Sequence, residues 1–226
     1  GLLTARQVPL VETYIDSLTE LGRYPEALKA QKYLLRIATR EDGASSPQLA
    51  PTLEEIGRWY ASIGAYDQSR RTLRQALEIV EAAEGPDSPL LVGPLLAIAA
   101  CNRRQLLDPA AQSLTSPDEQ REALFHDPGT MLVPVQVSPT ALAGEGERSL
   151  LRAAQIVDQA AEPSPVAVLN VRTQVGDWYQ VRNQPDRARE HYQQAWRAAA
   201  RVTDKLNGKS YTEAIFGQPV LLHLFR

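Results

Sequence analysis

Apolar residues recur three and four positions apart in runs of a dozen or more residues, and the runs are broken by short turns rich in Gly and Pro. That spacing lines one face of a helix, so the chain reads as a series of amphipathic helices in antiparallel pairs. The first pair covers roughly Pro9 to Leu21 and Pro25 to Thr39, and the second Pro51 to Ile63 and Tyr66 to Ala83. Pro9 and Pro25 stand in first-turn positions, where a missing N–H costs nothing. After the breaker cluster Gly85-Pro86-Asp87-Ser88-Pro89, a third first helix is predicted over Leu90 to Gln105, with Leu95, Ile98 and Ala99 on its apolar side.

These pairs repeat in sequence as well as in pattern. Ile56-Gly57-Arg58-Trp59-Tyr60 recurs as Val175-Gly176-Asp177-Trp178-Tyr179, and at the same offset Asp67, Arg70, Gln75 and Ala76 meet Asp186, Arg189, Gln194 and Ala195. Leu21-Gly22-Arg23-Tyr24 likewise parallels Ile63-Gly64-Ala65-Tyr66. Ile56, Gly57, Tyr60, Gly64, Tyr66, Leu73 and Ala76 in one copy, and Val175, Gly176, Tyr179, Ala188, Tyr192 and Ala195 in another, resemble the tetratricopeptide repeat, a helical hairpin of about 34 residues. The resemblance implies an all-α solenoid of helical hairpins with an irregular insertion, one domain over residues 1–226. Ile15 at the small position of the first copy, and Ser69, Asn183 and Pro185, depart from the pattern, so those copies are expected to be less regular.

The repeat breaks down from about Arg103 to Gly146, where Asp108-Pro109, Ser116-Pro117, Asp127-Pro128-Gly129 and Ser138-Pro139 punctuate the chain. This reads as an insertion within the third hairpin, with a short helix over Pro117 to Phe125 and the second helix resuming over Glu147 to Ala161; a linker between two domains is the alternative. The apolar Met131-Leu-Val-Pro-Val-Gln-Val is expected to dock, on its own repeats or on a partner. A looser similarity, carried by Gln31-Lys-Tyr-Leu-Leu-Arg, Ser46-Pro-Gln-Leu-Ala-Pro and Phe216-Gly-Gln-Pro-Val, is to uncharacterised Gram-negative tetratricopeptide proteins that often add a TonB-like C-terminal domain. It implies an envelope setting, and a further segment starting at about 216–226.

Composition narrows the function. With 24 Lys plus Arg against 27 Asp plus Glu the chain lacks the basic excess of a nucleic-acid binder, and no apolar run reaches the ~20 residues of a membrane helix. Cys101 stands alone and reads as a buried thiol; His126, His191 and His223 have no spacing that would put two metal ligands on one helix face. Gly144-Glu145-Gly146 lacks the strand and Lys-Ser/Thr of a phosphate loop and reads as a flexible turn. No enzymatic template, metal or cofactor is implied.

A surface for recognition remains. In the resembled family the first helices line a groove, and their polar positions here are Glu12, Asp16, Glu20, Glu54, Glu55, Arg58, Asp177 and Gln180. One wall would be acidic, suited to a basic protein or peptide segment, although such charges also serve simply to solvate amphipathic helices. Arg70, Arg71, Arg74, Arg187 and Arg189 fall on second helices and are expected to face away. Trp59 and Trp178 share one repeat position and are read as packing between hairpins. The expected function is a non-enzymatic binding scaffold; a self-association spacer or an accessory domain of an enzyme are the alternatives.

Overall fold

The computed structural model describes residues 8–108 and 137–205, and among these every regular element is helical. Eight α-helices are seen there: α1 (Val8–Glu20), α2 (Tyr24–Asp42), α3 (Ala50–Ser62), α4 (Tyr66–Glu84), α5 (Val92–Leu107), α6 (Pro139–Gln159), α7 (Pro165–Val181) and α8 (Pro185–Lys205). They fall into two units divided at Gly146/Glu147, so the start of α6 belongs to the first and the rest to the second. Consecutive helices pair: α1 with α2, α3 with α4, and α7 with α8.

The repeat is longer than the 34-residue pattern. First helices start at Val8, Ala50 and Val92 and second helices at Tyr24 and Tyr66, a period of 42 residues. The added length lies in 19-residue second helices and in the 3₁₀ turns Pro47–Leu49 and Pro89–Leu91. Each turn is held by a serine whose Oγ accepts the backbone N–H two residues on, Ser46 from Gln48 at 3.3 Å and Ser88 from Leu90 at 3.2 Å. The proline that follows each serine supplies a preset φ and needs no donor.

Hairpin turns are equally alike. The N–H of Arg23, Ala65 and Gln184 bonds the carbonyl five residues back, on Leu18, Tyr60 and Tyr179, at 2.8–2.9 Å. Such a closure requires a left-handed residue just before the donor. Gly22 (φ 71°) and Gly64 (φ 84°) supply it, and in the last hairpin Asn183 does so at φ 54°. Asn tolerates this region better than most residues with a Cβ, which accounts for the off-pattern Asn183. Pro185 sits at the start of α8, where its ring is harmless.

Within a hairpin the two helices meet at a glycine. A Cβ on Gly57 would lie 2.6 Å from Leu73 Cγ, and one on Gly176 would lie 2.5 Å from Tyr192 Cε1. The first hairpin solves the contact differently: buried Ile15 stands at the glycine position and buried Gln31 where Leu73 and Tyr192 stand, with Gln31 Oε1 lacking a hydrogen-bond partner. In the first unit Ile15, Leu18, Ala27, Leu34 and Trp59 form one core cluster. Trp59 Nε1 also donates to Thr19 Oγ1 at 2.8 Å, joining α3 to α1 as the packing reading requires.

Three local expectations are corrected. α5 runs to Leu107 and α6 begins at Pro139, so both ends of the 103–146 stretch are helical. Gly144-Glu145-Gly146 therefore lies in helix, not in a flexible turn: Leu142 and Ala143 are buried there, and Glu145 accepts from Asn102 Nδ2 at 2.9 Å and pairs with Arg74 at 2.5 Å. These contacts offset the roughly 1 kcal/mol helix penalty of each glycine. Arg70 is not a surface cation but is 2% exposed, because α5 covers it and supplies Asn102 and Gln105 as acceptors beside Asp67. The expected helix over Pro117 to Phe125 and the docking of residues 131–137 lie outside the described residues, apart from Val137.

Replacing Gly57 or Gly176 by leucine is expected to lower stability by ~1–3 kcal/mol through overpacking. Urea unfolding of both variants against the parent checks this; unchanged midpoints would mean that the helices do not meet there.

Candidate functional site

The candidate residues divide between the two units. In the first, Glu12 and Asp16 are one turn apart on α1, and Glu55 lies on the neighbouring first helix α3. Glu12 and Glu55 line a depression of about 170 Å³ between α1, α2 and α3, joined there by Glu41 and Asp42 at the end of α2. Leu34 and Ile37 form part of its wall. The cleft thus has an apolar flank and an acidic rim.

Its electrostatics follow from that crowding. Burial is the largest cause pushing the Glu55 carboxyl above the ordinary glutamate range, and the charges of Glu12 and Asp16 push it further, while Arg58 opposes them. The charges of Glu12 and Asp16 therefore reach Glu55, whose carboxylate would gain from a nearby cation.

The other candidates do not line this cleft. Glu20 is exposed at the end of α1. Glu54 turns to Arg58, with Nη2–Oε1 at 2.5 Å and Nε–Oε1 at 3.0 Å, and its carboxylate lies against Gly93 of α5, where there is no Cβ. The guanidinium of Arg58 is accordingly engaged by its own helix.

Asp177 and Gln180 belong to the second unit. Asp177 accepts a hydrogen bond from Tyr192 Oη at 2.8 Å, so it braces the α7–α8 pair. Gln180 is exposed at the rim of a separate groove of about 490 Å³ along α8, beside Tyr192 and Trp196. Sequence reasoning missed this groove. The available signal was Trp196, an aromatic on the polar side of α8.

Among the described residues no three His, Cys, Asp or Glu side chains gather as metal ligands, and no helix is long and apolar enough to cross a membrane. Cys101 is 1% exposed, burial raises its thiol pKa, and its Sγ lies 3.7 Å from the Tyr66 carbonyl oxygen. A neutral buried thiol is a poor nucleophile. His191 stacks on Tyr179 with ring centroids 5.6 Å apart, and burial together with Arg172 lowers its pKa. Trp178 is 2% exposed, so both tryptophans of the shared repeat position are core residues.

Comparison with known proteins bears on the first unit. Residues 10–82 match the family model of the tetratricopeptide repeat. No curated protein matches the chain.

A raised Glu55 pKa means that the folded state holds this proton more tightly than the unfolded state does. Its favourable contribution is complete below the ordinary value of 4.5 and is lost as pH rises through the folded pKa. Glu55→Gln should therefore be more stable than the parent at neutral pH, with the difference vanishing below about pH 4.5. Thermal melts across that range check it; a constant difference would mean that Glu55 feels no crowding.

Proposed function

We propose that this chain, whose residues 10–82 match the tetratricopeptide repeat, is a non-catalytic interaction scaffold whose acidic cleft takes a basic segment of a partner protein. Tetratricopeptide repeats generally mediate protein–protein interaction and scaffolding. The observation that carries the finer reading is the shared cleft of Glu12, Glu41, Asp42 and Glu55 with its apolar flank of Leu34 and Ile37. A Lys or Arg side chain fits such a place in both its parts: the methylene stem covers the apolar wall and the charged head meets the carboxylates.

Recognition of this kind is steered by charge. The summed field of the acidic residues speeds the approach of a basic segment, and screening over a Debye length of ~8 Å at physiological ionic strength weakens it. Acidic peptide tails are repelled by the same field.

The test is the affinity of the intact chain for an Arg/Lys-containing peptide library, read by fluorescence anisotropy at low and physiological salt. Glu12→Lys with Glu55→Lys is expected to reduce affinity tenfold or more, and Arg71→Glu, at an exposed second-helix position, to leave it within about twofold. Equal effects from both, or affinity indifferent to salt, would place recognition elsewhere.

A further inference from the structure

The groove along α8 has a filled counterpart in the same chain. In the repeat register Gln180, Pro185, Ala188, Arg189, Tyr192 and Trp196 correspond to Ala61, Tyr66, Ser69, Arg70, Leu73 and Leu77. In the first unit that second set is the seat of helix α5. Cys101 packs with Ala61 and Tyr66, Ala97 and Ile98 pack on Leu73 with Leu77 against them, and Arg70 reaches Asn102 Oδ1 at 3.4 Å and Gln105 Oε1. Among the described residues the first set lines an open groove instead. There Trp196 is 62% exposed, and Arg189, whose side chain is 70% exposed, keeps the counterpart of the Asp67 contact, to Asp186 at 3.6 Å.

From this correspondence we infer that the α8 groove is a docking site for one amphipathic helix of a partner protein. The filled seat defines what that helix must carry: small and branched apolar residues one turn apart, as Ala97, Ile98 and Cys101 are, and side-chain oxygens at the places of Asn102 and Gln105 to meet Arg189. The groove adds Arg197 where the first unit has Glu78, so carboxylates suit those acceptor places better than amides. Trp196 in place of Leu77 offers a broad apolar platform. This is helix-in-groove recognition with a cationic rim, and it is independent of the acidic cleft and of opposite polarity.

Residues 206–226 do not carry this pattern in the repeat register. Leu221 and Leu224 correspond in sequence to Asn102 and Gln105, and Pro219 corresponds to Ala100 of α5. A proline at the place of Ala100 would interrupt any helix seated as α5 is.

The probe is a synthetic peptide with the α5 sequence, Val92 to Asp108, carrying Cys101→Ala and with glutamate in place of Asn102 and Gln105. Its binding to the full chain is measured by calorimetry, and the shielding of Trp196 by acrylamide quenching. Expected are saturable binding, protection of Trp196, and a loss of at least tenfold on Trp196→Ala or Arg189→Ala. A peptide with leucine at both glutamate places should bind the parent at least tenfold more weakly, yet bind Arg189→Ala with nearly the affinity of the glutamate peptide, because the lost contact is shared. Glu12→Lys should leave binding unchanged, which separates this site from the acidic cleft. No binding, or equal affinity for the glutamate and leucine peptides on the parent, would overturn the inference. So would a Trp196 already shielded in the parent and exposed by deleting residues 206–226, which would assign the groove to the chain's own tail.

Discussion

The close approach of two helices at a single glycine sets the geometry on which each regular hairpin depends. Leu73 against Gly57 and Tyr192 against Gly176 bring side chains of the second helix nearer the first than a Cβ would leave room for. Packing at that range brings main chain and side chains into dense contact, and dense contact is what dispersion rewards. Tyr192 also shows how the contact can be modified: its hydroxyl finds Asp177 across the pair, so a larger and more polar residue is accommodated without an orphaned group. Where glycine is replaced, as at Ile15, the facing position changes too, and Gln31 is left with a buried oxygen unmatched.

Buried polarity is the second constraint, and it explains why α5 sits where it does. Arg70 is almost fully covered, and a covered guanidinium is tolerable only when its donors are met. Asp67 from its own helix and Asn102 and Gln105 from α5 meet them, while Asn102 turns its amide to the Leu142 carbonyl at 3.3 Å and to Glu145. This network connects α4, α5 and the start of α6 within the first unit. It also favours one register of α5 on α4, since a shift by one residue would take Asn102 and Gln105 from Arg70 and leave it Asp67 alone.

The same side chain performs opposite duties in the two units. Arg70 is structural because a helix lies over it; Arg189, at the equivalent place, is exposed beside Trp196. The acidic cleft of the first unit and the arginine-rimmed groove of the second thus present opposite charge on hairpins built to one plan. Sequence duplication supplies the scaffold, and a few substitutions on its surface supply the difference.

The amino-acid sequence by itself determined the class of fold, because helical periodicity, first-turn prolines and the Gly57/Gly176 coincidence are local signals that survive without tertiary context. It also marked the acidic residues of α1 and α3, and it located Cys101 and the paired tryptophans in the core. The 42-residue period was legible too, in Ser46-Pro47 and Ser88-Pro89, but matching to a shorter pattern concealed it. What only the tertiary structure decided was which charges are surface and which are core. Arg70 and Arg189 read identically along the chain, as do Glu54 and Glu55, and nothing local tells them apart. Arg70 is buried because α5 happens to cover it, Glu54 turns aside because Gly93 leaves room and Arg58 lies one turn on, and Glu55 alone is left to meet Glu12 and Asp16. Burial is a property of what packs against a residue from elsewhere in the chain, and that is information no local pattern holds.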